Sequence, residues 1–219
     1  MARDKAIVML SGGLDSATCL YWAKAKFSDL WTITFNYFGR LAQEKRAVVR
    51  LVNAAGIGRL IEIDLPFVKE AGDFYSDNSK LDSGAGWMSS YVPMRNMIFY
   101  SIAAHYAEYL GAKWIIGGHN LHDVKFFKDA SQDYIDKLNR LFKEGCLFCN
   151  GQPYQILLPL AKMTRKEIIR LAIRLKAPIE LTWSCHKEGI VHCGTCYACR
   201  QRLDAFNLLG LRDPAFSFK

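Results

Sequence analysis

Six residues near the start of the chain combine the residue types that bind a phosphate group. They lie between an apolar run at 6–10 and a helix-like stretch at 17–22, and they read Ser11-Gly12-Gly13-Leu14-Asp15-Ser16. A strand that ends in a small-residue turn and continues into a helix directs free N–H groups and the helix dipole at one point. Glycines allow close approach of the backbone to an anion, and the two serines add hydroxyl donors. The stretch is therefore predicted to bind phosphate.

Asp15 is an acid beside this predicted phosphate site, and two roles are open for it. Its carboxylate is favourable there if a Mg²⁺ ion lies between it and the phosphates, or if it caps the helix. The stretch is not a GxxxxGK[ST] loop, because no lysine follows the second glycine at that offset. SGGxDS after a first strand resembles the PP-loop of the ATP pyrophosphatase superfamily. Such enzymes cleave ATP between the α and β phosphates and adenylate an oxygen of their substrate.

Four cysteines in the C-terminal part have the spacing of a metal site, and they are Cys185, Cys193, Cys196 and Cys199. Two residues separate Cys193 from Cys196, and two separate Cys196 from Cys199, so that two short turns bring these three sulfurs to one centre. The longer loop from Cys185 lets the fourth sulfur complete a tetrahedron. Structural Zn²⁺ is the favoured prediction because four thiolates fill its coordination shell, and a [4Fe–4S] cluster is the alternative. His186 and His192 are expected to be solvated or to lie behind the ligands, with a role as substitute ligands as the alternative.

Three further cysteines are assigned other roles. Cys146 and Cys149 form a CxxC pair, interpreted as a half-buried pair in a turn or as adventitious thiols, with a redox pair or further metal ligands as the alternative. Cys19 lies on the apolar face of the first predicted helix and is expected to belong to the core.

The bulk composition limits the fold and the compartment. A chain of 219 residues with 51% hydrophobic residues can build one substantial core but not two comfortable domains. Neither a signal-peptide segment nor an apolar run of membrane length is present, so a cytoplasmic protein without membrane contact is expected. The net charge of +8 suits ATP and an acidic substrate, and it also suits RNA.

Predicted strands and helices alternate along the chain. Strands are predicted at 6–10, 30–35, 59–65, 114–118 and 156–158, and helices at about 14–26, 41–55, 94–110, 133–142 and 163–176. Thr164 and Glu167 form a capping box at the last helix. The alternation indicates an α/β fold with a Rossmann-like, doubly wound parallel sheet. The segment 69–90 is predicted to be a long loop that acts as a lid.

The predicted sheet indicates where the ligand-binding site lies in the fold. In such a sheet a ligand lies beyond the carboxyl ends of the strands. Those ends are 11–16, 36–40 and 117–120, and the site is expected to draw on all three. Residues 1–180 are expected to form the ATP-binding domain, and 181–219 a small four-cysteine subdomain.

Several motifs together resemble one family of PP-loop enzymes. Beside the PP-loop they are Thr34-Phe35-Asn36-Tyr37 with Arg40 and Glu44, Tyr91-Val92-Pro93-Met94-Arg95-Asn96, and Thr182-Trp183-Ser184-Cys185 followed by the other cysteines and Arg202. In order and spacing they are similar to the 7-cyano-7-deazaguanine synthase family, QueC or ExsB, over nearly the whole chain. The resemblance implies ATP-dependent conversion of 7-carboxy-7-deazaguanine and ammonia into the nitrile preQ0, a precursor of queuosine and archaeosine in tRNA. It also implies a homodimer, and no direct contact with nucleic acid is expected.

The resemblance assigns roles to residues of this chain. Ser11, Gly12, Gly13, Asp15 and Ser16 are expected to bind the ATP phosphates and Mg²⁺, within a nucleotide segment that adds Leu10, Leu14, Ala17, Thr18, Cys19 and Leu20. Arg95 is expected to stabilise charge on the α-phosphate or the substrate carboxylate, because a cation at a helix N-terminus requires an anion. A salt bridge at the helix start is its alternative. Asn96 would orient the same group. Tyr37 and Arg40 would line the adenine side, or serve as packing and surface residues.

The chain departs from the family at 123–130, where members usually carry D-x-S-G-Y-P-D-C. Asp123, Phe127 and Asp129 match this run, and the serine, glycine, proline and cysteine do not. The departure affects the substrate pocket more than the ATP site.

Other functions stay open at this point. They are a PP-loop tRNA sulfurtransferase, a QueC-like enzyme that modifies a protein with a 7-deazapurine, and, outside enzymes, a zinc-containing nucleic-acid-binding module. Apolar residues near the C-terminal end are expected to be buried against a partner subunit, and they are Phe206, Leu208, Leu209, Leu211, Phe216 and Phe218.

Overall fold

The structure is a computed structural model that describes residues 4–37, 40–68, 92–147 and 153–216. The predicted lid at 69–90, Cys149 and Phe218 lie outside the described residues. Within them, five parallel strands form one sheet in the order β3-β2-β1-β4-β5. The strands are β1 Lys5–Met9, β2 Asp29–Tyr37, β3 Leu60–Leu65, β4 Trp114–Ile116 and β5 Gln155–Leu157. The predicted α/β fold with a doubly wound parallel sheet is confirmed.

Helices connect these strands. They are α1 Leu14–Lys24, α2 Ala42–Ala55, α3 Arg95–Leu110, α4 Asp123–Phe126, α5 Gln132–Gly145, α6 Arg165–Arg174 and α7 Tyr197–Asn207. The five predicted helices are present. The short α4 and the C-terminal α7 were not predicted. The residues of α7 include one of the metal-spaced cysteines, Cys199, and follow directly after Cys196, so this stretch was interpreted as part of the metal site. No helix in the described ranges is both long and apolar enough to cross a membrane.

The core lies on both faces of the sheet because side chains alternate along each strand. Ile7 of β1 packs with Tyr100 and Ile135 from α3 and α5 on one face. Val8, the next residue, packs with Leu20 and Val48 from α1 and α2 on the other face. Helices therefore cover both faces, as a doubly wound sheet requires.

The C-terminal residues pack onto this core. Phe206 of α7 is 2% exposed and lies in a cluster with Leu14 and Ile169. The expectation that Phe206 is covered by a partner subunit is therefore wrong, since its own chain covers it. Leu208 and Leu211 of the same apolar group are exposed.

The chain order brings the predicted strand ends together. β1 is central, the chain proceeds from it to β2 and β3 on one side, and it returns to β4 and β5 on the other. A crevice opens where the strand order reverses, beyond the carboxyl ends of β1 and β4. This is the predicted position of the site.

Candidate active site

The PP-loop is held in shape by its own two serines. The Ser16 hydroxyl accepts a hydrogen bond from the Ser11 N–H at 3.2 Å and donates to the Gly13 carbonyl at 3.0 Å. The two serine hydroxyl oxygens are 3.0 Å apart. Gly13 is the N-cap of α1 and makes no side-chain capping bond, so the first N–H groups of the helix stay available to an anion.

Gly12 fixes the loop against the rest of the fold. Its φ is +94°, and a Cβ there would lie 2.6 Å from the Glu44 carbonyl oxygen at the start of α2. Its own carbonyl accepts a hydrogen bond from the Trp183 N–H at 2.9 Å. The loop is thus clamped between α2 and the segment that leads into the cysteine cluster.

The first cleft, of about 370 Å³, lies over this loop. Residues from all three predicted strand ends line it, including Ser11, Asp15, Tyr37, Arg40, Gly118 and His119. Of the predicted nucleotide segment, Leu10, Gly13, Leu14 and Ser16 also line the cleft. Ala17, Thr18, Cys19 and Leu20 do not, because α1 turns them into the core, where each is at most 1% exposed.

Asp15 lies at the centre of the polar wall. One carboxylate oxygen, Oδ2, accepts a hydrogen bond from the Asn120 amide at 3.0 Å and lies 3.7 Å from Arg165 Nη1. The other oxygen, Oδ1, is buried and has no hydrogen-bond partner among the described residues. A buried carboxylate oxygen without a partner is costly, and a hard cation such as Mg²⁺ would satisfy it. Asp15 does not cap α1, so the first of its two predicted roles fits the structure.

The pKa values of Asp123 and His119 differ from the usual values of these side chains. Burial, and secondly the charge of Asp15, raise the pKa of Asp123 to about 6. Its carboxylate accepts the Asn120 N–H at 3.0 Å. Burial and the positive charge of Arg95 lower the pKa of His119 to about 4, so this imidazole is neutral at pH 7. Asp15 and Asp123 together offer the oxygen ligands that Mg²⁺ prefers.

Two arginines face the cleft from helix N-termini. Arg95 is the first residue of α3 and Arg165 the first of α6. Within the described residues Arg95 has no carboxylate within 4.0 Å, so the alternative of a salt bridge is not found there. The preceding Met94 has φ +54°, a left-handed conformation that is uncommon outside glycine and that clusters at functional sites.

Tyr37 and Arg40 play different parts in the first cleft. The Arg40 guanidinium donates to the Asn36 side chain at 3.1 Å and to the Ser11 carbonyl at 3.3 Å, and it also donates to the Phe35 carbonyl. These bonds tie β2 to the PP-loop. The Tyr37 ring lies 5.6 Å from the Phe99 ring in a tilted arrangement and forms part of the apolar wall.

A second cleft, of about 270 Å³, adjoins the first. The two share Arg95, Asn96, Asp123, Arg165, Ser184 and His186. The second cleft adds aromatic side chains from α4 and its end, Phe126 and Phe127, and the carboxylate of Asp129. Asn96 is 9% exposed at the junction. The arrangement suits a nucleotide in one cleft and an acid that it activates in the other.

The four cysteines form one cluster. Their Sγ atoms all lie within 4.8 Å of one another, as ligands of one metal ion must. The Thr195 hydroxyl, with the Cys196 and Thr195 N–H groups, donates to Cys193 and lowers the pKa of this thiol to about 5, which favours the thiolate that a metal binds.

His192 is not among the ligands. Its Nε2 accepts the Ser184 N–H at 3.1 Å, and its ring lies between Trp183 and Phe216. His186 instead lines both clefts. The cluster therefore supports, through Trp183 and Ser184, the wall of the candidate active site.

Comparison with known proteins decides the family. The family model described as "Queuosine biosynthesis protein QueC" matches residues 5–210. The chain belongs to the QueC family. It is 38% identical over 219 residues to the 7-cyano-7-deazaguanine synthase of Nostoc punctiforme, covering 96% of this chain and 98% of the relative. The enzyme of the same name from Thermoplasma acidophilum is 35% identical, with coverages of 98% and 92%. The resemblance that the motifs indicated is confirmed.

The QueC motifs of this chain meet around the two clefts. Arg95 and Asn96 of the VPxRN segment lie at the junction, and the divergent run at 123–130 supplies the aromatic wall of the second cleft. The departure from the family pattern therefore lies in the second cleft, and it leaves the PP-loop unchanged. Of the residues in the QueC motifs, Tyr91 lies outside the described part of the chain.

Arg165 is the functional candidate that the sequence did not single out. It follows the capping threonine of α6 directly, so it is a cation at a helix N-terminus, as Arg95 is. The same dipole argument that selected Arg95 applies to it. It lies 3.7 Å from Asp15, a contact across 150 positions that depends on the tertiary fold.

Proposed function

We propose that this chain converts 7-carboxy-7-deazaguanine and ammonia into 7-cyano-7-deazaguanine with ATP as the activating substrate. The observation that supports this proposal most directly is a pair of unsatisfied groups among the described residues. Arg95, at the junction of the two clefts, has no carboxylate partner there, and Asp15 Oδ1, in the first cleft, has no hydrogen bond there. A cation and a hard-ligand oxygen beside a phosphate cradle suit the adenylation of an acid. The named activity of relatives at 35–38% identity supports the same reaction.

The reaction needs two activations. A carboxylate oxygen attacks the α-phosphorus of ATP and pyrophosphate leaves, which gives an acyl-adenylate. Ammonia attacks the acyl carbon, AMP leaves, and an amide forms with loss of a proton. The amide oxygen then attacks a second α-phosphorus, pyrophosphate leaves, and loss of AMP and of both nitrogen-bound protons gives the nitrile. Each attack places negative charge on phosphate oxygens, and fixed donors can stabilise that charge more in the transition state than in the ground state.

Each residue of the candidate site has its own role in the proposed reaction. The N–H groups of the PP-loop with Ser11 and Ser16 hold the phosphates, and Arg95 stabilises the charge that develops at the α-phosphate. Asn96 orients the same group from the junction. Asp15 and Asp123 would hold Mg²⁺, which supplies charge neutralisation of the phosphates when bound. Tyr37 borders the adenine, and Arg40 keeps the PP-loop in place.

The cysteine cluster is proposed to hold Zn²⁺ in a structural role, in a small subdomain formed by residues 181–219. Four sulfur ligands with tetrahedral spacing support zinc, and they leave no position open for substrate. Metal analysis with absorption spectroscopy separates it from an iron–sulfur cluster, because a colourless protein with one zinc per chain excludes the cluster.

The remaining assignments concern partners. We propose that the enzyme acts in the cytoplasm as a homodimer with free ammonia as the nitrogen source and without direct nucleic-acid contact. The exposed Leu208 and Leu211 support a contact with a second copy. Light scattering after gel filtration measures the assembly, and turnover that rises on addition of tRNA would instead favour a sulfurtransferase.

The deciding experiment follows product and nucleotide together. The purified protein is incubated with ATP, Mg²⁺, ammonium and 7-carboxy-7-deazaguanine, and nitrile and AMP are quantified by mass spectrometry. Two AMP per nitrile are expected. Asp15→Asn and Arg95→Ala should each lower the rate at least about 100-fold, or about 3 kcal/mol in barrier, with unchanged metal content.

Asp133→Asn is the matched control, because Asp133 lies on α5 in a surface pair with Lys137, outside both clefts. It should keep full activity. Release of ADP and phosphate in place of AMP, or full activity of the Asp15 variant, would refute the proposal.

A further inference from the structure

The second cleft contains a carboxylate that the protein itself does not use. Asp129 lies in the short 3-10 helix Lys128–Ala130 and lines the cleft, half-buried. Its side chain makes no hydrogen bond and no ion pair within the described residues. Asp123, the other acid of this cleft, is occupied by the Asn120 N–H. A partly desolvated carboxylate without donors is unfavourable, and a ligand that brings N–H groups would relieve it.

Aromatic rings stand beside this carboxylate. His122 and Phe126 are stacked, with ring centroids 4.9 Å apart and an interplanar angle of 26°. The Tyr197 hydroxyl lies 3.4 Å from His122 Nε2 and holds that ring in position. Phe127 lines the same space. Flat heteroaromatic rings are bound by such faces, because stacking is favourable for every base.

Two cations line the same cleft. Arg95 and Arg165, together with Asp123, lie where the second cleft opens into the first. The lining therefore combines hydrogen-bond acceptors, cationic donors and aromatic faces. Its volume of about 270 Å³ is smaller than the volume of about 370 Å³ of the first cleft.

We propose that the Asp129 carboxylate accepts hydrogen bonds from the guanine-type edge of the substrate. The substrate ring then lies against the His122–Phe126 pair, and its acid group faces Arg95. This inference rests on the proposed function. A carboxylate only accepts hydrogen bonds, and it can receive two parallel N–H bonds. The ring N1–H and the 2-amino group of 7-carboxy-7-deazaguanine are two adjacent donors. An adenine-type edge would instead place an acceptor nitrogen against the carboxylate and be rejected.

The proposed position of the substrate also gives a role to residues of the divergent run at 123–130. Phe126 stands where the family run D-x-S-G-Y-P-D-C has glycine, and it is half of the stacked pair. Asp129 stands where the run has its second acid.

The test is a binding comparison with two ligands. Calorimetry measures 7-carboxy-7-deazaguanine and the analogue without the 2-amino group on the metal-loaded protein and on Asp129→Asn. The wild-type protein should bind the parent at least about tenfold more tightly than the analogue, since a site built for a donor penalises its loss. Asp129→Asn should weaken the parent about 10- to 100-fold and remove the discrimination, with ATP affinity within twofold.

Controls separate the possible outcomes. Asp133→Asn should match the wild type with both ligands. If Asp129→Asn loses ATP affinity as well, Asp129→Glu, which keeps the carboxylate, is measured with the same two ligands. Retained discrimination between the ligands then supports the role of Asp129, and lost discrimination overturns it. Unchanged affinity and discrimination in Asp129→Asn would overturn the role of Asp129 and leave the proposed function intact. A wild-type protein that binds ATP but neither deazapurine would overturn both.

Discussion

At the scale of single residues, close approach between β4 and α3 limits what position 117 can carry. A Cβ at Gly117 would lie 2.0 Å from the Tyr100 hydroxyl oxygen and 2.8 Å from Leu158 Cδ2. The Tyr100 hydroxyl is itself buried without a hydrogen-bond partner among the described residues. The glycine therefore has a packing reason that does not depend on the ligand.

Gly117→Ala should lower the free energy of unfolding by about 1–3 kcal/mol, because the added methyl group forces the tyrosine to move. Tyr100→Phe removes the oxygen in closest contact, so the double variant should recover part of this loss. Urea unfolding of the four proteins measures the coupling. Gly145→Ala is the control, since nothing lies within 4 Å of a Cβ there. Equal stability of the two alanine variants would contradict the packing argument.

His119 should make the protein less stable in acid. Its pKa in the folded chain, about 4, lies below the usual 6.5, so the unfolded chain takes up a proton that the folded chain does not. The loss begins as the pH falls through 6.5 and is complete near 4. Between pH 7 and pH 5 this histidine should remove at most about 2 kcal/mol. The His119→Gln variant and the wild type are unfolded in urea at both pH values without ATP. Between the two pH values the free energy of unfolding of the variant should fall by that much less than the value of the wild type. An identical pH dependence in the two proteins would refute the assignment.

At the scale of elements, α3 and α6 each present an arginine to the same cleft from the first helical turn. The start of α6 is fixed by its capping box: Thr164 Oγ1 accepts the Glu167 N–H, and the Glu167 carboxylate accepts the Thr164 N–H at 2.7 Å. These bonds lower the pKa of Glu167. The cap thereby positions Arg165 beside Asp15.

Thr164→Ala should cost about 1 kcal/mol of stability and lower kcat/KM several-fold, because the first turn of α6 loosens beside the cleft. Ser131→Ala is the matched control, since Ser131 caps α5 by accepting the Tyr134 N–H, and α5 does not line either cleft. It should show a similar loss of stability with normal kcat/KM. Equal kinetic losses in both variants would mean that the cap of α6 does not position Arg165.

At the scale of the whole molecule, one buried ion pair holds the C-terminal part together. Arg202 of α7 is 1% exposed and binds Asp213 through Nε at 2.5 Å and Nη2 at 3.0 Å. It also donates to the Thr182 and Ser184 hydroxyls at 2.7 and 3.0 Å. The segment that it fixes is the one whose Trp183 N–H binds the PP-loop. The cysteine cluster, α7 and the nucleotide loop are thus mechanically connected.

Arg202→Met should lower the free energy of unfolding by about 3–5 kcal/mol, because Asp213 is left charged and buried. Asp213→Asn in the same chain should restore part of the loss. Arg200→Met, an exposed position on the same helix, should change stability little. Thermal unfolding of the metal-loaded proteins measures all three, and an Arg202 variant as stable as the Arg200 variant would contradict this account.

Local patterns in the sequence determined the elements and the two chemical centres. The apolar runs, the Thr164–Glu167 box and the SGGLDS turn depend on neighbours a few positions apart, and so does the Cys193-x2-Cys196-x2-Cys199 spacing. The five strands, five of the seven helices and the position of the phosphate loop could therefore be predicted. The resemblance to the QueC family pointed to the arginine at the start of α3, and the helix dipole gave a physical reason for a bound anion there.

Tertiary structure decided which of these pieces meet. The sheet order brings Arg165 to Asp15, and the fold of the C-terminal part brings Trp183 to Gly12 and Phe206 into the core. The second cleft, with Asp129 and the His122–Phe126 pair, is lined by residues of both α4 and α7, which are about 70 positions apart in the sequence. Local periodicity carries no information about such contacts, since they join residues tens to hundreds of positions apart and depend on strand order and burial.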